Sequence, residues 1–104
     1  MIKQRGTHTA VEAYQTGDRE HELYRFDNGY GASVVRHPGS YGGSRGLWEL
    51  ATIVWQDEVD KVTHGKYRTI KVRQINTTDA TIGCLTDEDV EALLTKIAAL
   101  GKRI

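Results

Sequence analysis

Residues 24–56, YRFDNGYGASVVRHPGSYGGSRGLWELATIVWQ, contain both tryptophans, the single phenylalanine and a dense run of β-branched side chains, and they read as the middle of an antiparallel sheet. Asp27-Asn28-Gly29 is a tight-turn signal, because Asn and Gly tolerate positive φ, and it joins the run 23–26 to the run 30–36. Alternation from Tyr30 sets Ala32 and Val34 on one face and Ser33 and Val35 on the other, with Gly31 as a bulge or a point of close approach. Residues 37–46 carry Pro38 and four glycines, more turn material than a hairpin needs. The β pattern resumes over 47–56. Leu47, Ala51, Ile53 and Trp55 share one side and Trp48, Leu50 and Val54 the other, which suits a central strand covered on both faces.

The flanks are placed around this centre. Residues 7–15 alternate loosely, and both a strand and one turn of helix fit Ala10, Val11, Ala13 and Tyr14. Thr16-Gly17-Asp18 reads as a turn into a strand near 20–26, so that 4–26 forms a first hairpin or an N-terminal extension. After turn-like segments at 57–60 and 63–65, residues 66–75 read as a strand, with Ile70 and Val72 on one face and Tyr67, Thr69, Lys71 and Arg73 on a wet one. Residues 76–80 form a polar loop, and 81–85 a short strand or extended lead-in.

The C-terminal helix has the fullest signal. Thr86 is placed to accept from the amide of Asp89, and Asp87, Glu88 and Asp89 put negative charge at the positive end of the helix dipole. Val90, Leu93, Leu94, Ile97 and Leu100 recur at spacings of three and four and form a stripe that can lie on a sheet, while Glu91, Thr95 and Lys96 face water. Gly101 is the expected left-handed terminator, and Lys102 and Arg103 complement the negative end. The expected fold class is α+β, an antiparallel sheet of about four to six strands with one amphipathic helix packed on one face.

At 104 residues the chain is long enough for one domain and one core without metals or disulfides. Lysine and arginine number 14, as do aspartate and glutamate, so no whole-molecule field steers it toward nucleic acid or membrane. One cysteine, Cys84, rules out an internal disulfide and fits a reducing compartment. With no apolar run near the length of a membrane span and no apolar signal core after Met1, the expected location is cytoplasmic.

Placed in order, the strings Phe26-Asp27-Asn28-Gly29-Tyr30-Gly31-Ala32-Ser33-Val34-Val35, Gly39-Ser40-Tyr41-Gly42-Gly43, Gly46-Leu47-Trp48-Glu49-Leu50-Ala51 and Ile82-Gly83 with Leu85-Thr86 resemble a family of small uncharacterised proteins of tailed bacteriophages and prophages. The likeness spans about three quarters of the chain, leaving residues 1–23 as an extension and the stretch 66–73 more basic than the family pattern. The resemblance implies a phage accessory protein acting in the cytoplasm of the bacterial host, with no catalytic or binding residue assigned.

Candidate sites stand beside plainer roles. The loop 38–46 could cradle an anion with its glycine amides and Arg45, although it lacks the Lys-Ser/Thr ending of a phosphate loop and precedes a strand; a flexible connector is the alternative. Arg36, Ser40, Tyr41, Arg45 and Trp48 are the residues nearest such a ligand or protein surface, Trp48 and Trp55 being equally suited to the core. Lys61, Lys66, Arg68, Lys71 and Arg73 form an acid-free run that suits phosphate contacts or a solvated, charge-protected sheet edge, and its backbone could also pair with a second copy. The four histidines show no paired metal spacing, nothing sets one beside Cys84, and no acid–base dyad is legible, so neither cofactor nor enzyme activity is expected. Three functions follow: a non-enzymatic inhibitor that binds a bacterial host protein, such as a defence component; a sequestering protein for a small anionic ligand such as a signalling nucleotide; and a nucleic-acid binder using 61–73.

Overall fold

The computed structural model describes residues 3–40, 42–55, 67–75 and 81–102. In chain order they form β1 (Gln4–Arg5), β2 (His8–Thr9), β3 (Glu12–Thr16), β4 (Arg19–Arg25), β5 (Tyr30–Arg36), β6 (Trp48–Trp55), β7 (Tyr67–Thr69), β8 (Thr81–Leu85) and the helix α1 (Asp87–Ala98). β1 and β2 make a small ladder of their own, and the others make a six-stranded antiparallel sheet in the order β3-β4-β5-β6-β7. The remaining strand, β8, pairs with β6 at Trp48 to Ala51, while β7 takes Ile53 to Trp55, so the two divide one edge of the central strand. The fold is thus α+β with one helix on one face of an antiparallel sheet. None of the described helices is long and apolar enough to cross a membrane.

Before Tyr24 the chain is strand, not helix: β3 and β4 join the sheet, while β1 and β2 pair only with each other. Gly17 takes φ 61° in a two-residue turn that makes Thr16 and Arg19 opposite partners. The next hairpin has a three-residue loop: Phe26 N donates to Tyr30 O at 2.9 Å and Gly29 N to Phe26 O at 3.2 Å. Of the turn residues only Gly29, at φ 90°, is left-handed.

Asn28 does something else. Its amide nitrogen donates to the carbonyls of Ile97, Ala98 and Leu100 at 2.8, 3.3 and 3.1 Å, and its oxygen accepts from Tyr30 N at 3.0 Å. Ile97 O also accepts from Leu100 N at 3.2 Å, and the Asn28 side chain adds a donor from a distant turn to the carbonyls at this helix end. The expectation that Gly101 ends the helix in a left-handed conformation is corrected: the cap is Ala99 with right-handed geometry, and Gly101 has no positive φ. At the other end Thr86 accepts from Asp89 N at 3.2 Å, as expected, and the Asp89 side chain completes a capping box by accepting from Thr86 N at 3.1 Å.

The helical stripe lies on the face that carries Tyr24, Ala32, Val34, Trp48 and Leu50, and Val90, Leu94 and Ile97 are fully buried there. Each such side chain contributes roughly 1.5–3 kcal/mol on burial. β6 is buried along most of its length on both sides, as its two apolar faces require. Gly31 is a close-approach point: the Trp55 indole donates to Tyr24 O at 2.8 Å, and a Cβ on Gly31 would overlap both groups. The bulge lies elsewhere, where the β6–β8 register shifts between Trp48 and Leu50 and Cys84 takes φ 59°. The strand expected over 66–75 is also corrected: among the described residues the ladder covers Tyr67–Thr69, with Ile70 N still donating to Thr52 O at 2.9 Å, and residues 73–75 turn. Ile75 N closes that turn on Val72 O at 2.9 Å.

Candidate functional site

Strand register lines up polar side chains on the helix-bearing face near the start of α1. Gln15 stands opposite Glu20, and Glu20 opposite Arg36. The Arg36 guanidinium grips Glu20 with Nη2 to Oε2 at 2.6 Å, donates to Gly46 O at 3.1 Å, and lies 4.1 Å from the centroid of the Trp48 ring. Two adjoining hollows follow this row. One, of about 230 Å³, is lined by residues including Lys3, Ala13, Gln15, Glu20, Glu22 and Trp48. The other, of about 290 Å³, runs between the Gly17-Asp18 turn and the glycine-rich loop, lined by Asp18, Glu20, Arg36, His37, Pro38, Gly43, Ser44 and Gly46 among others.

Beneath the first hollow is a buried polar network that the sequence did not disclose. Arg5, 7% exposed, donates from Nε to Glu22 Oε1 at 2.8 Å and from Nη2 to Glu22 Oε2 at 3.0 Å, a bidentate pair. Its Nη1 reaches Asp87 at 2.9 Å, and its guanidinium lies 4.6 Å from the Trp48 centroid. Tyr24 donates to Glu22 Oε1 at 2.5 Å, and Trp48 Nε1 to Asp87 Oδ1 at 2.9 Å. Burial alone would weaken the Arg5 charge, but the hydrogen bonds to Glu22 and Asp87 outweigh it and raise the Arg5 pKa. Burial and the bond to Glu22 push the Tyr24 phenol up, and the Arg5 hydrogen bond holds Asp87 below the usual carboxylate range. These groups keep their protonation states at neutral pH, and the Glu22 oxygens are occupied by donors. The network clamps β1, β4, β6 and the helix start together.

The residues singled out around the glycine-rich loop are distributed differently from one another. Arg36 and Trp48 are brought together. Ser40 is engaged inside the loop, its hydroxyl donating to His37 O at 2.8 Å and accepting from His37 N at 3.0 Å. Arg45 turns away to the sulfur of Cys84 at 3.1 Å. Tyr41 and Lys66 lie outside the described residues. The amides of Gly39, Gly43, Arg45 and Gly46 donate to His37 Nδ1, Ser40 O, Gly42 O and Gly43 O respectively, so they serve the loop's own turns. What reads as a flexible connector is therefore a series of closed turns around Gly43–Arg45, with Gly42 packed on Cys84. Of the basic run, Arg68 is exposed on β7, and Lys71 and Arg73 are exposed beyond it.

On the opposite face of the sheet His21 Nε2 lies 2.8 Å from Ser33 Oγ, and burial, followed by the charge of Arg19, lowers the His21 pKa. A base beside a hydroxyl is half of a nucleophilic site. Here both side chains project from adjacent paired strands, whose ladder engages the surrounding amides, and the pair reads as a cross-strand tie. Among the described residues no group of three or more His, Cys, Asp or Glu is placed to hold a metal. Compared with known proteins, the chain matches no family model, no curated protein and no solved structure.

Proposed function

We propose that this chain is a non-enzymatic accessory protein of a tailed bacteriophage that binds and inhibits a protein of the bacterial host, a defence component being the kind of target that fits, and that it does so in the host cytoplasm. The observation that carries the binding surface is the pair of adjoining hollows, one between the Gly17-Asp18 turn and the glycine-rich loop and one beside it over Glu20, Glu22 and Trp48, open to solvent and lined by both charge signs. A rim of hydrogen-bonded turns with Asp18, Glu20, Arg36 and His37 along it suits the mixed polar surface of a protein partner. The phage and host parts rest on the family resemblance.

Sequestration of a small anion is disfavoured by the same geometry, because Glu20 already neutralises Arg36 and the loop amides face inward. A nucleotide held at 100 times its dissociation constant would raise stability by about 2.7 kcal/mol, and a thermal-shift panel reads this directly. The decisive experiment is affinity purification from expressing bacteria with wild type and with Asp18→Lys combined with Ser44→Glu, both exposed positions. A stoichiometric host protein recovered with wild type, lost with the double variant at unchanged melting temperature, supports the reading. Equal recovery with both, or none with wild type, overturns it.

A further inference from the structure

We infer that β3 is a self-pairing edge, through which two copies of this chain join antiparallel into one continuous sheet. It is the terminal strand of the sheet order. Natural sheet edges are protected by proline, charged side chains or a bulge, and after Glu12, the first residue of the strand, Ala13-Tyr14-Gln15-Thr16 has none of these. Val11 and Tyr14, 53% and 52% exposed, are the large hydrophobic side chains that stand out in solvent among the described residues; Tyr14 lies on this strand and Val11 immediately before it. Tyr14 is already oriented, its ring 6.0 Å from that of His21, which reduces the entropy lost on docking.

Geometry then selects the register. The two-residue turn makes Thr16 and Arg19 a hydrogen-bonded pair, so by alternation the N–H and C=O of Ala13 and Gln15 point away from β4. A two-fold axis normal to the sheet keeps each face on its own side, so the pairing must centre on a residue. Centring on Glu12 would oppose Glu12 to itself, and centring on Gln15 would oppose Glu12 to Asp18; both juxtapose like charges. Centring on Tyr14 places Tyr14 against its copy, Ala13 against Gln15 through the outward backbone groups, and Glu12 against Thr16. Arg19, which makes no ion pair among the described residues, then lies beyond Thr16 from Glu12 of the second copy, about 10 Å away across two strand spacings and within reach of two long side chains. Centring on Ala13 avoids like charges too, but sets Tyr14 against Glu12 and forfeits the aromatic pair.

Light scattering after size exclusion should give the mass of two chains for wild type and of one for Gln15→Pro, whose lost N–H points away from β4. Tyr14→Lys, at an exposed side chain, serves if the proline variant fails to fold, and should also give one chain. Under mild oxidation Tyr14→Cys should become disulfide-linked at least tenfold more than wild type treated identically, and Glu12→Cys mixed with Thr16→Cys should link to each other more than either links to itself. A monomeric wild type across the accessible concentration range overturns the inference, as does a dimer that persists in Tyr14→Lys. Preferential self-linking of Ala13→Cys overturns the Tyr14 register.

Discussion

Trp48 and Asp87 are 39 residues apart in sequence and joined by an indole N–H to carboxylate hydrogen bond of 2.9 Å. The same carboxylate oxygen accepts from Arg5, so the first turn of the helix is tied at once to the central strand and to the N-terminal ladder. Asp87 is 71% exposed at its side chain and its pairing is screened, which places the weight of the cluster on the buried Arg5–Glu22 pair.

That pair yields the first prediction. Removing one partner strands a buried charge, and Glu22→Leu or Arg5→Met alone should cost about 3–5 kcal/mol of unfolding free energy. Removing both replaces two desolvated charges by apolar volume, so Arg5→Met with Glu22→Leu and Tyr24→Phe should cost less than either single substitution. Chemical denaturation of the four proteins checks the ordering. A triple variant less stable than both singles would show that the pair contributes net stability.

Asn28 and Gly101 make a contrast at the other end of the helix. Asn28→Ala removes the donor shared by the Ile97, Ala98 and Leu100 carbonyls, of which Ile97 O keeps Leu100 N, and losing these bonds should cost about 1–3 kcal/mol. Gly101→Ala meets open space at a residue without positive φ, and should change stability by less than about 0.5 kcal/mol. Thermal and urea unfolding of the two variants would separate them, and the reverse ranking would return the cap to Gly101.

This contrast also shows which parts of the molecule were legible in the sequence. The helix face, its Thr86 N-cap and the alternation through 30–36 and 48–55 follow from local period and propensity, and the structure has them. Asn28 was legible as a turn former, but its contact with Ile97 spans 69 residues and leaves no local pattern. Arg5 and Glu22 are equally opaque, because a charged residue in a short strand reads as exposed until the fold buries it. The grouping of Arg36 with Trp48 was anticipated from nearness in sequence, whereas Arg45 is drawn off by Cys84 from a strand 39 residues later. The 66–75 segment misled because β-rich composition does not say how much of a partner's edge is free, and β8 takes the other end of β6.

Thr52 offers a test of opposite sign. The residue is 1% exposed, and its hydroxyl has no hydrogen-bond partner among the described residues. Burying an unpaired hydroxyl is unfavourable, and valine has nearly the same shape. Thr52→Val should therefore leave the protein unchanged or stabilise it by up to about 1–2 kcal/mol, one of few core substitutions here with that sign. A melting temperature several degrees lower would indicate that the hydroxyl has a partner.

His21 sets a pH dependence. Burial and the neighbouring Arg19 hold its folded pKa below the ordinary 6.5, with Glu12 and Glu22 opposing in part. The unfolded chain then binds the proton more readily than the folded one, so stability rises with pH through that interval. The contribution is complete above about pH 7.5 and is lost as pH falls through the unfolded value toward the lowered folded one. His21→Gln can still hydrogen-bond to Ser33 but does not titrate, so its unfolding free energy should fall less between about pH 7.5 and pH 5 than that of wild type. Parallel denaturation series at these pH values measure the difference, and superimposable curves would show that the ring takes up its proton as easily in the folded chain as in the unfolded one.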